Sequence, residues 1–324
     1  AYRGMLDPFN IFRSYERVNA SEEDGITLAC ELAKSVLSEL FGLNTEKKQR
    51  AVLDEIISEI KLGGYEAAKP PSMMRIVEML EAFDKSDPLY DDAYMLARQL
   101  KPLRNAGMAQ LFIGNGTEKA IRIDNRLNIL QIQNLKMPSH TTSKEDYTEE
   151  ERVSGVLMMV IAAFTRRFVH SHRNRFKVVL FDESWMLGRT AEGEKLMSYV
   201  ARMSRSLYAS LILNGHSVTD LPNEGIRNTI TYKFCFKTGS IDEAKRMLDF
   251  LKMECTKNNI DMIMGLGNGE CLFQDLAGRV GKLQFDAVFA DIIDIFSTTP
   301  VDTSELQPTA DEEQSVEELE ELNV

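Results

Sequence analysis

The sequence predicts an α/β protein: a parallel sheet, preceded by an all-helical block and followed by a C-terminal hairpin. Three observations carry this. From residue 148 to 237 the pattern alternates helix, strand, helix, strand, strand, as a parallel sheet requires. Residues 24–103 carry apolar stripes at helical spacing and little else. The stretch Phe176-Lys177-Val178-Val179-Leu180-Phe181-Asp182-Glu183 runs an unbroken apolar segment into two adjacent carboxylates, the pattern of a strand buried on both faces.

The 324 residues suffice for one large or two ordinary domains, and 44% hydrophobic with 27% charged residues is ordinary for a globular chain. The net charge of −12 is concentrated in a tail. Nine acids and no base lie from Ser297 onward, leaving 41 acids against 38 bases, so the body is near −3 and an anionic partner is not excluded. Cys30, Cys235, Cys255 and Cys271 have neither C-x-x-C nor zinc-finger spacing. They read as reduced, mostly buried thiols of a cytosolic protein, and zinc is not expected. The longest apolar run, Gly155 to Phe164, is short for a membrane span.

The start, Ala1-Tyr2-Arg3-Gly4, has no initiator Met and reads as the middle of a longer protein; Asp7-Pro8 reads as a turn or extended approach. The first helix is expected from about Asp24 to Phe41, on Leu28, Leu32, Val36, Leu37 and Leu40. A second is capped by Thr45 and buries Val52, Ile56, Ile57 and Ile60 before Gly63-Gly64. After Pro70-Pro71, Ser72 caps a third, with Ile76, Met79, Leu80 and Phe83 inward. Asp87-Pro88 opens a fourth with Tyr94, Met95, Leu96 and Leu100.

Strands are expected at Ala109 to Ile113 and at Leu127 to Gln133, and a mobile polar loop at Ser139 to Glu149. A long helix from about Thr148 to His170, with Val153, Leu157, Val160, Ile161, Phe164 and Phe168 inward, leads into the acidic-pair strand. A loop with the lone Trp185 follows, then a helix from about Glu192 to Ser206 on Leu196, Val200 and Met203. Next come a second buried strand, Ala209 to Asn214, and a third, Ile230 to Lys237. Helices near 241–252 and 258–264, the turn Gly265 to Gly269 and a hairpin, roughly 270–275 with 280–286, close the body; the tail from 297 is expected to be disordered.

Three polar markers cluster around the parallel strands. Asp182 and Glu183 end the first, Arg202 and Arg205 lie near the end of the helix between the strands, and His216 lies at the tip of the second. Ligands of open α/β sheets sit at such strand ends. Neighbouring tips are about 5 Å apart, so His216 reaches what Glu183 reaches. Each marker also has a plain reading: a polar turn, a helix end where cations favour the dipole, a hydrogen-bonded turn histidine. The basic run Arg166 to Lys177 reads first as a solvated helix end and second as a contact for DNA or acidic partners; His170-x-His172 lacks a third metal ligand.

Taken together, F-K-V-V-L-F-D-E-S-W-M-L, A-R-M-S-R-S and L-I-L-N-G-H-S-V-T-D-L resemble the motor domain of conjugative-transfer ATPases of type IV secretion systems, the VirB/TraC-like proteins of the HerA–FtsK group. In that group a strand ends in Asp-Glu, a helix in Arg-Lys and the next strand in a glutamine sensor. Here Ser206 replaces the Lys and His216 the glutamine, a group that also titrates near neutrality. The stretch G-N-G-E-C-L-F-Q-D-L-A-G-R-V-G-K-L-Q-F-D resembles the family's C-terminal hairpin. The resemblance spans roughly residues 5–296 and rests on the order of the motifs rather than on any one of them.

The resemblance implies a RecA-like P-loop NTPase-type fold. Residues 1–23 would start a truncated α/β core, 24–103 form the inserted helical subdomain, 104–296 the RecA-like ATPase core and 297–324 the acidic tail. It implies ATP and Mg²⁺ as cofactors. Asp182 would hold Mg²⁺ through water and Glu183 act as general base or orient the attacking water. His216 would sense the γ-phosphate, Arg205 or Arg202 serve as a finger across a subunit interface, and Arg279 touch nucleotide or a neighbour. It implies a homo-oligomer (a hexamer), type IV secretion or coupling proteins at the inner membrane, possible DNA contact, and a cytoplasmic site peripheral to the membrane. One departure is large: no G-x-x-x-x-G-K-[ST] occurs, and Gly114-Asn115-Gly116-Thr117-Glu118-Lys119 has the wrong spacing and reads as a turn. The phosphate loop is therefore expected upstream of Ala1, and this chain by itself binds ATP weakly or not at all. Two other readings stay open: a non-catalytic RecA-like interaction module of a secretion complex, and a HerA-like DNA-processing motor.

Overall fold

A buried carboxylate organises the N-terminal end. The computed structural model of the chain describes residues 3–13, 24–41, 47–119, 126–131, 135–138, 142–143, 146–171, 174–188, 190–221, 223–286 and 289. Asp7 closes a turn, its N–H donating to Gly4 O at 3.1 Å, and also caps helix α1 (Pro8–Phe12), accepting from Phe9 N at 2.9 Å. Pro8 opens that helix at a position where its missing N–H costs nothing. The other carboxylate oxygen accepts from Met73 N and Gly114 N, each at 2.9 Å. Asp7 thus ties three distant segments together.

The helical block follows the predicted stripes. α2 (Gly25–Leu40) is capped by Asp24 and buries Leu28, Leu32, Val36 and Leu37. α3 (Lys47–Gly63) buries Val52, Ile56, Ile57 and Ile60, while Thr45 lies outside the described residues. α4 (Met73–Glu81) is capped by Ser72 and buries Ile76 and Leu80, with Met79 and Phe83 half-buried; α5 (Tyr90–Leu100) buries Leu96 and Leu100 and exposes Tyr94 and Met95. Each fully buried Leu or Ile contributes about 1.5–3 kcal/mol, more than helix propensity supplies.

Two expected strands are absent. Residues 109–113 lie in and after a second 3-10 turn (Lys101–Asn105, then Gly107–Leu111), entered by Gly107 at φ +40°. A short apolar run does not distinguish strand from buried turn, and here Ala109, Phe112 and Ile113 plug the helical core. Residues 126–131 are not strand; Leu127 and Ile129 are exposed, and no strand among the described residues pairs with them. Residues 132–133 lie outside the described residues, as do 139–141 and 144–145 of the loop expected to be mobile at 139–149.

The central helix α6 (Glu149–His170) begins with a complete capping box, Thr148 with Glu151. By length and composition it could cross a membrane, but 72% of its apolar window is buried within the protein, as in a core helix. It leads to β1 (Lys177–Phe181), then α7 (Ser184–Gly188) where a loop was expected around Trp185, then α8 (Ala191–Leu207) and β2 (Ala209–Leu213). β1 and β2 pair in parallel, Lys177 opposite Ala209 through Phe181 opposite Leu213. Neither strand is buried on both faces. Val179, Phe181, Leu211 and Leu213 pack on the core shared with α6 and α8, whereas Val178, Leu180 and Ile212 are exposed, because this sheet has only two strands among the described residues.

The chain then passes α9 (Glu224–Thr229) to β3 (Lys233–Phe236). β3 does not extend the parallel sheet as expected. It pairs antiparallel with β4 (Glu270–Gln274), which pairs with β5 (Val280–Gln284), so the predicted hairpin has captured it. α10 (Ile241–Phe250) and α11 (Lys257–Met264) cover one face over Cys235, Leu248, Ile263 and Leu272. Lys233 Nζ and Gln274 Nε2 donate to Phe250 O and Leu251 O, at 2.6 and 2.7 Å, satisfying carbonyls at the end of α10. The segment 287–296, apart from Phe289, and the acidic tail lie outside the described residues.

Candidate functional site

The site forms where the two parallel strands end together. Backbone bonding continues past both strands: Asn214 N donates to Phe181 O at 2.9 Å and Ser184 N to Asn214 O at 2.8 Å. That register sets Asp182 beside Asn214, whose Nδ2 donates to Asp182 Oδ1 at 2.7 Å. Glu183 follows at φ +53°, a left-handed conformation that side chains disfavour, and the turn aims its carboxylate back across the strand tips. Its Oε2 accepts from the Trp185 indole at 2.7 Å, and its Oε1 lies 2.8 Å from His216 Nε2.

The loop carrying His216 is built by two further acids. Asp220 Oδ2 accepts from His216 N at 2.8 Å and Ser217 N at 2.9 Å, closing a capping box on the 3-10 turn Val218–Asp220. A Cβ at Gly215 would lie 3.0 Å from Asp220 Oδ2, so a larger residue there would require that carboxylate to give way by a few tenths of an ångström. Glu243, from α10, accepts from Val218 N at 2.8 Å and Ser217 Oγ at 2.9 Å. Its hydrogen bonds, above all that from Val218 N, hold its carboxyl below the usual range against the opposing effect of burial.

The structure brings together three of the residues singled out from the sequence, Asp182, Glu183 and His216. It separates the others from them. Arg202 and Arg205 are exposed near the far end of α8, Arg205 about 20 Å along the helix from Ala191 at a rise of 1.5 Å per residue. That end adjoins the start of β1, where Lys177 N donates to Tyr208 O and Tyr208 N to Arg205 O. Arg279, in the β4–β5 turn, is engaged by Asp275 through Nε at 2.7 Å and Nη2 at 2.6 Å.

Asp182 keeps Oδ2 clear of the Asn214 bond on an exposed side chain, so it fits a water ligand of a hydrated Mg²⁺, which prefers to keep its water shell. The chain has no G-x-x-x-x-G-K-[ST] loop of the kind that cradles the phosphates of ATP. Its nearest imitation of a phosphate loop is a turn whose Asn115 and Gly116 N–H groups donate to Glu118, at 2.7 and 2.9 Å, filling the place of an anion.

Asn214, Asp220 and Glu243 carry no weight in the sequence reading, yet they fix the site. Asn214 had a signal, since it occupies the same place after β2 as Asp182 after β1. Glu243 had a misleading one: Ser240-x-x-Glu243 reads as a capping box, but only half of it forms. Ser240 Oγ accepts from Glu243 N, while the glutamate side chain turns away to the His216 loop. The basic run also differs from its first reading. Lys177 is buried and donates to Ser171 O at 2.7 Å, and His170 is buried in a stack on Tyr199 with the half-buried Arg166 above the same ring, so these side chains are turned into the protein. His172 lies outside the described residues.

The parallel βαβ unit, with an acid pair at one strand tip and a histidine at the next and long helices behind, has a RecA-like P-loop-type fold. The AAA-like domain family matches residues 1–296, and the chain belongs to that family. The fold is that of VirB4 of Thermoanaerobacter pseudethanolicus, with a TM-score of 0.66 and 15% identity over 89% of this chain and 75% of that one. The uncharacterized protein YddE of Bacillus subtilis (strain 168) is 26% identical over 182 residues, which are 56% of this chain. The match spans 22% of YddE's length. The resemblance to conjugative-transfer ATPases read from the motifs therefore holds.

Proposed function

We propose that this chain is part of an ATPase motor of the HerA–FtsK group that energises conjugative DNA or protein transfer through a type IV secretion system. The observation that supports it best is the meeting of Glu183 with His216 at adjacent parallel strand tips, 2.8 Å apart, beside Asp182. On this reading residues 24–103 are an inserted helical subdomain of a core formed by 1–23 and 104–296.

Bound ATP with Mg²⁺ supplies the phosphoryl group that is transferred to water. Asp182 holds a water of the cation shell. Glu183 takes or orients the attacking water's proton, its carboxylate fixed between Trp185 and His216. His216 carries the sensor role of the family's glutamine. Arg205 or Arg202 is offered to a neighbouring copy in a hexamer, since within one chain neither adjoins the acid pair. Arg279 braces its own hairpin turn, with contact to nucleotide or a neighbour as a further role. The working assembly lies on the cytoplasmic face of the membrane beside secretion or coupling proteins, with DNA as a further partner.

The test is ATP hydrolysis by the protein extended upstream of Ala1 along its gene. A strand followed by G-x-x-x-x-G-K-[ST] is expected there, with Mg²⁺-dependent turnover that Glu183→Gln abolishes while nucleotide binding persists. An upstream region without that motif, or turnover unchanged in Glu183→Gln, sinks the reading. One observation favours the second reading, a non-catalytic interaction module: among the described residues, the loop that most resembles a phosphate cradle is filled by Glu118. A HerA-like DNA-processing motor would share the chemistry and differ in being stimulated by DNA.

A further inference from the structure

The geometry points to Glu243 as a positioning residue that couples the C-terminal lobe (β3–β5, α10 and α11) to the His216 loop. Its functional half rests on the ATPase reading above; its structural half does not.

His216 is carried on a short loop. Its ring is exposed and meets the Glu183 carboxylate through Nε2, so where the ring stands depends on the backbone from Gly215 to Asp220. Two carboxylates govern that backbone in different ways. Asp220 belongs to the loop and sets its internal shape, accepting from His216 N and Ser217 N. Glu243 belongs to another element and sets where the loop stands. Oε1 accepts from Val218 N at 2.8 Å, and Oε2 accepts from Ser217 Oγ at 2.9 Å and from Arg246 Nη1 at 3.0 Å.

The local chemistry of α10 does not call for this arrangement. With Ser240 as cap, a glutamate at position 243 would ordinarily reach back to the cap's own N–H. That is what Glu151 does for Thr148 and Asp220 for Ser217. Glu243 leaves that bond unmade; Ser240 N donates to Thr238 Oγ1 instead. The glutamate carboxylate is spent on a segment 25 and 26 residues away, and it is buried in doing so. A buried carboxylate is costly unless its oxygens are satisfied, and here three donors satisfy them.

Two consequences follow. A displacement of α10 relative to the parallel strands pulls Ser217 and Val218 with it and moves the His216 ring against Glu183. Conversely, a change in what Glu183 and His216 hold is felt at the first turn of α10, and through it by the three-stranded sheet. Coupling of this kind is reciprocal. Glu243 would then be the point at which the site's state reaches the C-terminal lobe.

The test uses the chain itself and two reporters. His216 is one of four histidines, and Trp185, hydrogen-bonded to the same glutamate as His216, is the single tryptophan. The His216 ring ¹H–¹³C resonances and Trp185 emission are compared in wild type, Glu243→Ala and Glu243→Gln, with cooperative urea unfolding as the check on folding. Glu243→Ala is expected to shift both reporters. Glu243→Gln, whose carboxamide oxygen still accepts from Val218 N, is expected to restore most of the wild-type signal. A folded Glu243→Ala with both reporters unmoved overturns the proposal.

Should Glu243→Ala fail to fold, Ser217→Ala removes one bond to Glu243 together with the Ser217–Thr219 contacts and is expected to shift the His216 resonances; no shift there also overturns it. In the upstream-extended protein, Glu243→Ala is expected to lower kcat about tenfold with KM little changed. Absence of turnover in wild type counts against the ATPase reading, while the resonances still decide the role of Glu243.

Discussion

Glu183 Oε1 lies 2.8 Å from His216 Nε2, so residues 33 apart in sequence meet at the tips of adjacent parallel strands. The second oxygen of the same carboxylate accepts the Trp185 indole N–H, which makes the lone tryptophan an internal gauge of the pair. Glu183→Ala removes the acceptor, and Trp185 emission is expected to shift as its N–H turns to water. Glu183→Gln keeps an acceptor oxygen and is expected to shift it less. Equal emission in wild type and Glu183→Ala would rule out the observed hydrogen bond.

Asp7 is expected to be the most sensitive polar position of the N-terminal half. Asp7→Ala strands the N–H groups of Phe9, Met73 and Gly114 in a buried setting, at about 1–3 kcal/mol each when no water replaces the acceptor. A loss of about 3–5 kcal/mol is expected in urea unfolding, at the high end for single substitutions. A loss below about 1 kcal/mol would show that water takes over the three donors.

The same group predicts a pH trend. Burial pushes the Asp7 carboxyl up to about 7, with its three backbone N–H bonds opposing and the charge of Glu118 adding. The folded state therefore holds a proton between the ordinary carboxyl range and neutrality that the unfolded chain has released. Stability from this group is fully present below about pH 4 and is lost as pH rises toward 7, by at most about 4 kcal/mol. Glu243, held low, works in the opposite sense: its contribution is present above the ordinary glutamate range and is lost as pH falls through its lowered value. Comparing wild type with Asp7→Asn cancels such background. Wild type is expected to be more stable relative to Asp7→Asn at pH 5 than at pH 8; a difference that does not change with pH rejects the raised Asp7 value.

The separation of Arg205 from the acid pair predicts complementation in the upstream-extended protein. Glu183→Gln and Arg205→Ala are each expected to be inactive alone. Mixed, they should recover partial turnover, because some interfaces then combine an intact Glu183 with an intact Arg205 from the neighbour. No recovery in mixed assemblies that demonstrably exchange subunits argues against an arginine supplied between copies.

Much of this architecture is legible in the chain because periodicity and caps agree. Asp24, Ser72 and Thr148 each precede an apolar stripe, and each caps the helix that follows. The failures have a common cause: strand identity depends on a partner that local sequence does not name. Residues 109–113 and 230–237 carry similar apolar content. The first folds as a turn against helices, and part of the second pairs with β4, which lies some 40 residues further on. The acid pair and His216 were legible because motif order marks them. Asn214, Asp220 and Glu243 were not, since their roles depend on register and on a contact between lobes.

The left-handed backbone at Glu183 has a bearing on how variants of this protein are ranked. Asparagine and glycine tolerate that conformation better than glutamate, by about 1 kcal/mol, and neither would hold His216 and Trp185 as Glu183 does. A screen for thermal tolerance or expression would therefore tend to enrich substitutions that break the contacts of Glu183 with His216 and Trp185. Selection on yield alone would drift toward a sturdier protein in which those two side chains had lost their shared partner.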